Sequence, residues 1–217
     1  MSGGAVFCFK QGDSIRGSEH RVPHCHLADC EGLGFVAPFL RALNAEKQSV
    51  PQIVSAREEQ LPAIAELAGL VWRACYPGII SRAQIDYMLA QMYALDTLRE
   101  EIRSQSIRYD LLLVSGKPAG FASFGPTSRP GVVKLHKLYL SPELHGHGLG
   151  SYLLQHVEGE VRAAGAHRLI LTVNKRNARA IAVYQRNGFV IVESVVTDIG
   201  GGFVMDDYVM AKNVSEK

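Results

Sequence analysis

The chain has no long hydrophobic run. Nothing within its 217 residues approaches the roughly 20 consecutive apolar positions that a membrane-spanning helix needs. Charge of one sign is also scarce, with 23 Lys and Arg against 21 Asp and Glu and a formal net charge of +2. No nucleic acid and no anionic membrane surface is therefore expected as a partner, because both are held by a strong basic field. Cysteine is limited to Cys8, Cys25, Cys30 and Cys75, without a Cys-x-x-Cys pair. That fits reduced thiols better than a disulfide framework. The first residues lack a basic start followed by an apolar stretch and a cleavage site, so a soluble, cytoplasmic protein is expected. Internal repeats and low-complexity tracts are absent too.

What is present is enough apolar material, 47% of residues, for one well-buried domain plus an extension. Residues 1–52 differ from the rest, carrying three of the cysteines together with His20, His24 and His26. Imidazole and thiolate are zinc ligands, but zinc modules set ligands in spaced pairs, and here all sit on one short segment. No metal is expected, and residues 1–52 read as a poorly structured extension, or as upstream sequence translated from an early start codon. The domain proper is placed at residues 53–217.

Regular patterns begin there. A strand from Gln52 to Ala56 precedes a helix with Pro62 in its first turn and Ile64, Leu67, Ala68, Val71 and Trp72 on one face. Ser81 and Gln84 form a capping-box pair ahead of a second helix with Ile85, Met88, Leu89 and Met92. A third helix follows near Thr97 to Ser104. Apolar runs at Tyr109–Val114 and Pro118–Phe124 flank a turn at Ser115-Gly116-Lys117, and a third strand covers Val132–Leu140. Helix Leu149–Ala164, strand Arg168–Val173, helix Asn177–Tyr184 and strands Val190–Thr197 and Phe203–Met210 complete an α/β pattern. Ser194 to Phe203, with Gly200, Gly201 and Gly202, reads as a mobile loop.

The most informative stretch is His145-Gly146-His147-Gly148-Leu149-Gly150-Ser151, between an apolar strand and an amphipathic helix. Glycines let the backbone curl close to an anion, and the N–H groups and positive dipole end of a helix start point at it. The loop lacks the Lys-Ser/Thr of a nucleotide-triphosphate cradle. It also lacks the third glycine of a dinucleotide fingerprint, where Ser151 stands, and the strand after the helix ends in Asn174 without an acidic residue. A pyrophosphate whose reacting end lies far from its phosphates fits instead.

Strand, x-Gly-x-Gly-x-Gly loop, long helix, strand, Asn174, the Asn177–Tyr184 helix and Gly188-Phe189 agree in order and spacing over Leu135–Phe189. That segment resembles the GNAT superfamily of acyl-CoA-dependent N-acetyltransferases. The resemblance implies a mixed, mostly antiparallel sheet with splayed central strands, flanked by helices, and acetyl-CoA as co-substrate without a metal. It implies that pantetheine lies along the backbone of Leu138, Tyr139 and Leu140 and near Asn174 and Asn177, and that pyrophosphate meets His145, Gly146, His147, Gly148, Leu149, Gly150 and Ser151. His145 departs from the glutamine or arginine usual there, losing a fixed positive charge. Asn177 also reads independently as a helix N-cap.

Tyr184 corresponds to the family's general acid, a phenol that protonates the departing thiolate. Thr172 stands where ribosomal-protein acetylases of this superfamily carry a glutamate base, so a protein N-terminus is the weaker substrate reading. His136 is the candidate base, placed by strand alternation on the same face as Leu138. Leu135–Tyr139 and the tail Phe203–Tyr208 look most like the polyamine and small-amine branch, and of Asp206 and Asp207 at most one faces a given site. The expected activity is acetyl transfer to a small primary amine by direct attack, ranked above a two-step route through Cys75. Alternatives are a protein N-terminal or lysine acetyltransferase and a non-catalytic CoA-binding protein. The oligomeric state is open, a homodimer included.

Overall fold

The computed structural model describes residues 50–214. The readings made on the cysteine- and histidine-rich segment lie outside these residues. Cys75 is disulfide-bonded, which corrects the reading of four reduced thiols and removes it as a free nucleophile.

Alternating and continuous apolar runs produce seven strands: β1 (Gln52–Ser55), β2 (Arg108–Val114), β3 (Lys117–Pro126), β4 (Val132–Leu140), β5 (Arg168–Asn174), β6 (Val190–Gly200) and β7 (Phe203–Asn213). They form one sheet in the order β1-β2-β3-β4-β5-β7-β6. Every pairing is antiparallel except β4 with β5. Helices α1 (Leu61–Cys75), α2 (Arg82–Met92) and α3 (Leu95–Arg103) cover one face, and α4 (Leu149–Ala163) and α5 (Ala178–Arg186) the other. Both faces are buried, so the central strands are apolar on both sides. None of the described helices is long and apolar enough to cross a membrane.

Local chemistry explains the element ends. Pro62 sits in the first turn of α1, where its missing N–H costs nothing. The β2–β3 turn has positive φ at Ser115 (52°) and Gly116 (73°), the pair of left-handed residues that a two-residue hairpin requires. Ser81 caps α2 by accepting from the Gln84 N–H, but the reciprocal half of the expected capping box is absent. The Gln84 side chain instead donates to the Val204 carbonyl at 2.8 Å.

That contact bears on the glycine-rich segment before Phe203. Residues 194–200 continue β6, and only Gly201 and Gly202 turn the chain, so the expected mobile loop is a β-hairpin. Its tip is held on α2, where the Tyr87 hydroxyl donates to the Ile199 carbonyl at 2.9 Å. Two left-handed glycines suffice for an antiparallel reversal, which is why seven further residues remained available for pairing.

A buried ion pair ties α3 to the sheet. Lys137, 2% exposed, donates to Glu101 at 2.7 Å, with its ammonium 4.9 Å from the Tyr109 ring centroid. Burial pushes the Lys137 pKa down and Glu101 opposes the shift. On the same side of the sheet, a Cβ added to Gly125 would lie 2.1 Å from the Ser106 carbonyl oxygen, a backbone atom that cannot yield cheaply. Gly125→Ala is expected to cost about 3 kcal/mol by overpacking, read as a lowered denaturant midpoint with an unchanged slope. A midpoint equal to wild type would show that β3 can shift to make room.

Candidate active site

Parallel pairing between β4 and β5 runs only from Val132/Arg168 to Leu135/Leu171. Beyond that point the two strands separate, while β4 stays paired with β3 and β5 with β7. Leu138, Tyr139 and Leu140 thus have one strand edge toward β3 and the other toward the opening. Their side chains are core: Leu138 and Leu140 pack beneath α4, and Tyr139 packs under α1. Only their backbone is left for a ligand entering as an extra strand.

The register also alters the expectation for His136. Ser123 pairs with Lys137 and Phe124 with Leu135, so His136 is an extra residue, a β-bulge without a partner on β3. Leu135 and Leu138, three apart, consequently share one core. Simple alternation therefore fails here, and His136 does not share the Leu138 face by parity. The half-buried imidazole is pushed down to about 4, first by burial and then by Lys134 and Lys137, and is neutral at physiological pH.

At the far end of β4 lies the glycine loop. Gly146 (φ 86°) and Gly148 (φ 77°) are left-handed, and nothing stands within 4 Å of a Cβ placed on either. Gly148 is the N-cap of α4, so the first free N–H groups of that helix border the same space. A cavity of about 360 Å³ is lined there by Gly146, Gly148, Leu149, Gly150 and Ser151 from the loop side. An open, donor-rich cradle at a helix start fits a pyrophosphate. His147 is exposed beside it.

His145 behaves differently from the expectation. Its Nε2–H donates to the Leu140 carbonyl at 3.0 Å, which fixes the neutral tautomer when the ring is uncharged. Burial lowers its pKa, with Arg179 acting in the same sense and the Leu140 hydrogen bond opposing. The ring therefore locks the strand end and gives its donor to protein instead of to a phosphate. Positive charge comes from Arg186 of α5, which lines the cavity together with Asn187. Asn187 donates to the Ser151 hydroxyl at 3.3 Å and to the Val183 carbonyl at 2.9 Å. Sequence reasoning missed these two residues, although an arginine and an asparagine closing the helix after Asn177 were visible.

Asn177 is the N-cap of α5, accepting from the Ala180 N–H at 3.1 Å, and Asn174 accepts from the Arg176 N–H at 3.0 Å. Both are buried at the mouth of the splay. Tyr184, fully buried in α5, packs edge-on to Phe189 with centroids 5.6 Å apart. Burial, and then Tyr139, raise its pKa well above the ordinary value, so the phenol keeps its proton.

Across the opening lies a knot of buried polar atoms. The Tyr139 hydroxyl lies among Tyr93, Trp72 and Tyr76, and burial pushes it up to about 12. Tyr139 is the shared hydrogen-bonding neighbour of the other three, and none of the four polar atoms reaches a partner outside the knot. The Thr172 hydroxyl and Asp207 Oδ1 are buried without a hydrogen-bond partner. Buried polar groups are normally satisfied, so a group of them at a strand opening marks a place completed by ligand or water. Among the described residues no group of three or more His, Cys, Asp or Glu side chains is placed to hold a metal ion.

Comparison with known proteins agrees with this geometry. The chain is 28% identical over 158 residues to the spermidine N(1)-acetyltransferase of Thermoplasma acidophilum, covering 68% of this chain and 91% of that relative. It is 28% identical to the IAA acetyltransferase of Azospirillum brasilense over 64% of this chain and 86% of the other. Among solved structures, the PaiA N-acetyltransferase of Thermoplasma acidophilum in complex with coenzyme A superposes with a TM-score of 0.66 at 26% identity, over 76% of this chain and 99% of that one. The ribosomal-protein-S18-alanine N-acetyltransferase of Escherichia coli shares the fold, with a TM-score of 0.59 at 22% identity over 77% and 96% of the two chains. Residues 71–189 match the acetyltransferase (GNAT) family. A match over more than half of the chain, on the fold just described, establishes that the protein belongs to that acetyltransferase family.

Proposed function

We propose that this enzyme moves the acetyl group of acetyl-CoA onto a primary amine of a small, polyamine-like molecule by direct attack. The observation that carries the reading is the β4–β5 opening, with the glycine cradle beyond the end of β4 and buried Tyr184 of α5 within electrostatic reach of Tyr139 on β4. The likeness to a spermidine N(1)-acetyltransferase over nine-tenths of that relative supports the acceptor class.

In this reading acetyl-CoA supplies an activated thioester. Gly146, Gly148, Gly150 and Ser151 hold its pyrophosphate with backbone N–H groups, helped by the dipole of α4 and the Arg186 charge. His147 and Leu149 flank this cradle, and His145 supports it from below through Leu140. The backbone of Leu138–Leu140 receives the pantetheine arm as a surrogate strand, with Asn174 and Asn177 at its side. Tyr184 gives its proton to the departing thiolate. A phenol of raised pKa is a poor acid in water, but a thiolate forming in the same dry surroundings has a raised proton affinity too.

His136 accepts the proton of the attacking amine, directly or through water. With a pKa of about 4 it is unprotonated across the physiological range. Its acid limb in kcat/KM therefore lies near pH 4, and no break near the usual histidine pKa of about 6.5 is expected to depend on His136. A break near 6.5 that moves on His136→Gln would contradict the assigned environment. The acceptor class is tested by comparing kcat/KM for diamines with that for peptides. Preference for diamines is expected, and turnover of peptides alone would overturn the reading.

A further inference from the structure

Transfer chemistry at Tyr184 and His136 leaves one buried carboxylate beside the β4–β5 opening without a role. Asp207 lies on β7 and pairs with Asn174, beyond the point where β5 has left β4. It is 4% exposed, its Oδ1 has no hydrogen-bond partner, and it makes none of the ion pairs found among the described residues. Its neighbour Asp206 is the opposite case, being exposed and paired with Lys175. An unpaired carboxylate out of water is costly, and such a group persists where a ligand cation completes it.

Four charged or titratable groups surround Asp207: Lys134 of β4, Lys175 after β5, Asp206 of β7 and Tyr76 at the end of α1. Burial, then Asp206, push the Asp207 carboxyl up to about 6 against the two lysines, so it is largely ionised at neutral pH. Tyr76 lies within electrostatic reach of Tyr139, Asp207 and Tyr184, so the carboxylate and the transfer end border the same buried side chain.

We propose that Asp207 anchors a second protonated nitrogen of the acceptor, several bonds from the amine that is acetylated, so that the enzyme selects diamines and polyamines over monoamines. The Tyr76 hydroxyl, buried beside the Tyr139 hydroxyl, is the hydrogen-bonding group next to that anchor. The inference rests on the small-amine reading and goes beyond it in naming the residue that selects. A carboxylate with only a structural role would not distinguish one amine from two.

The test is calorimetric binding of 1,4-diaminobutane and butylamine to the CoA-bound protein, with acetyl transfer to both, in wild type and Asp207→Asn. Wild type is expected to favour the diamine by about 30-fold, the worth of one desolvated charge pair. Asp207→Asn is expected to erase that preference by raising diamine KM and Kd, with kcat within about threefold, CoA and butylamine binding unchanged and thermal stability equal or higher. Unaltered diamine binding in the variant, or no diamine preference in wild type, overturns the proposal. If the variant does not fold, wild type is assayed across pH 5 to 7.5. The preference should fade as Asp207 protonates, and its persistence at pH 5 overturns the proposal. Diamine binding without transfer to any amine would sustain the anchor and overturn the small-amine transfer reading.

Discussion

Tyr184→Phe is expected to lower kcat by about 10²- to 10³-fold while leaving the acetyl-CoA KM within about threefold. The substitution keeps the ring that packs against Phe189 and removes only the hydroxyl, so the α5 core stays intact. Burial raises the phenol pKa and keeps it protonated, so in the proposed mechanism Tyr184 is a standing donor to the leaving thiolate. Its loss forces the thiolate to leave without a proton in surroundings that solvate anions poorly. A kcat within threefold of wild type would remove Tyr184 from the chemistry and leave water as the donor. Circular dichroism and the melting midpoint, both expected to match wild type, separate this from misfolding.

Gly148→Val is expected to weaken acetyl-CoA binding by about 30- to 100-fold, through two effects at one residue. Valine at φ 77° is strained, since a branched Cβ is poorly tolerated in the left-handed region. Its side chain would also project into the open space where an anion approaches the first N–H groups of α4. Because nothing lies within 4 Å of the added Cβ, the fold itself is not overpacked. Gly116→Val is the control, with the same left-handed strain at φ 73° on the distant β2–β3 turn and open space around it. Equal CoA affinities for the two variants would show that strain alone acts and that the loop is not the phosphate cradle.

Much of the architecture was legible because it rests on periodicity. Leu153, Val157 and Val161 recur at helical spacing and are buried under the sheet, and Val132–Leu140 is the strand its apolar run predicts. Punctuation by Pro62, Ser115-Gly116, Asn177 and the glycine loop was equally readable, since each has a local backbone reason. What escaped depends on partners far away in sequence. Gln84 satisfies Val204, 120 residues on, instead of its own helix start. The extra residue at His136 is invisible until the β3 register is known, and it breaks the parity that linked His136 to Leu138. His145 turns its N–H back onto the Leu140 carbonyl at the end of β4. The unpartnered state of Asp207 is likewise a property of the packed sheet, although its sequence neighbour Asp206 looks identical.

The central claim is transfer of acetyl from acetyl-CoA to a small amine, and product stoichiometry tests it most directly. Purified enzyme is incubated with acetyl-CoA and 1,4-diaminobutane or spermidine, free thiol is titrated, and the amine is analysed by mass spectrometry. One mono-N-acetylated amine formed per thiol released, at a rate that collapses in Tyr184→Phe, is the predicted result. Thiol release without acetylated amine, or acetylation confined to peptides, would contradict the account.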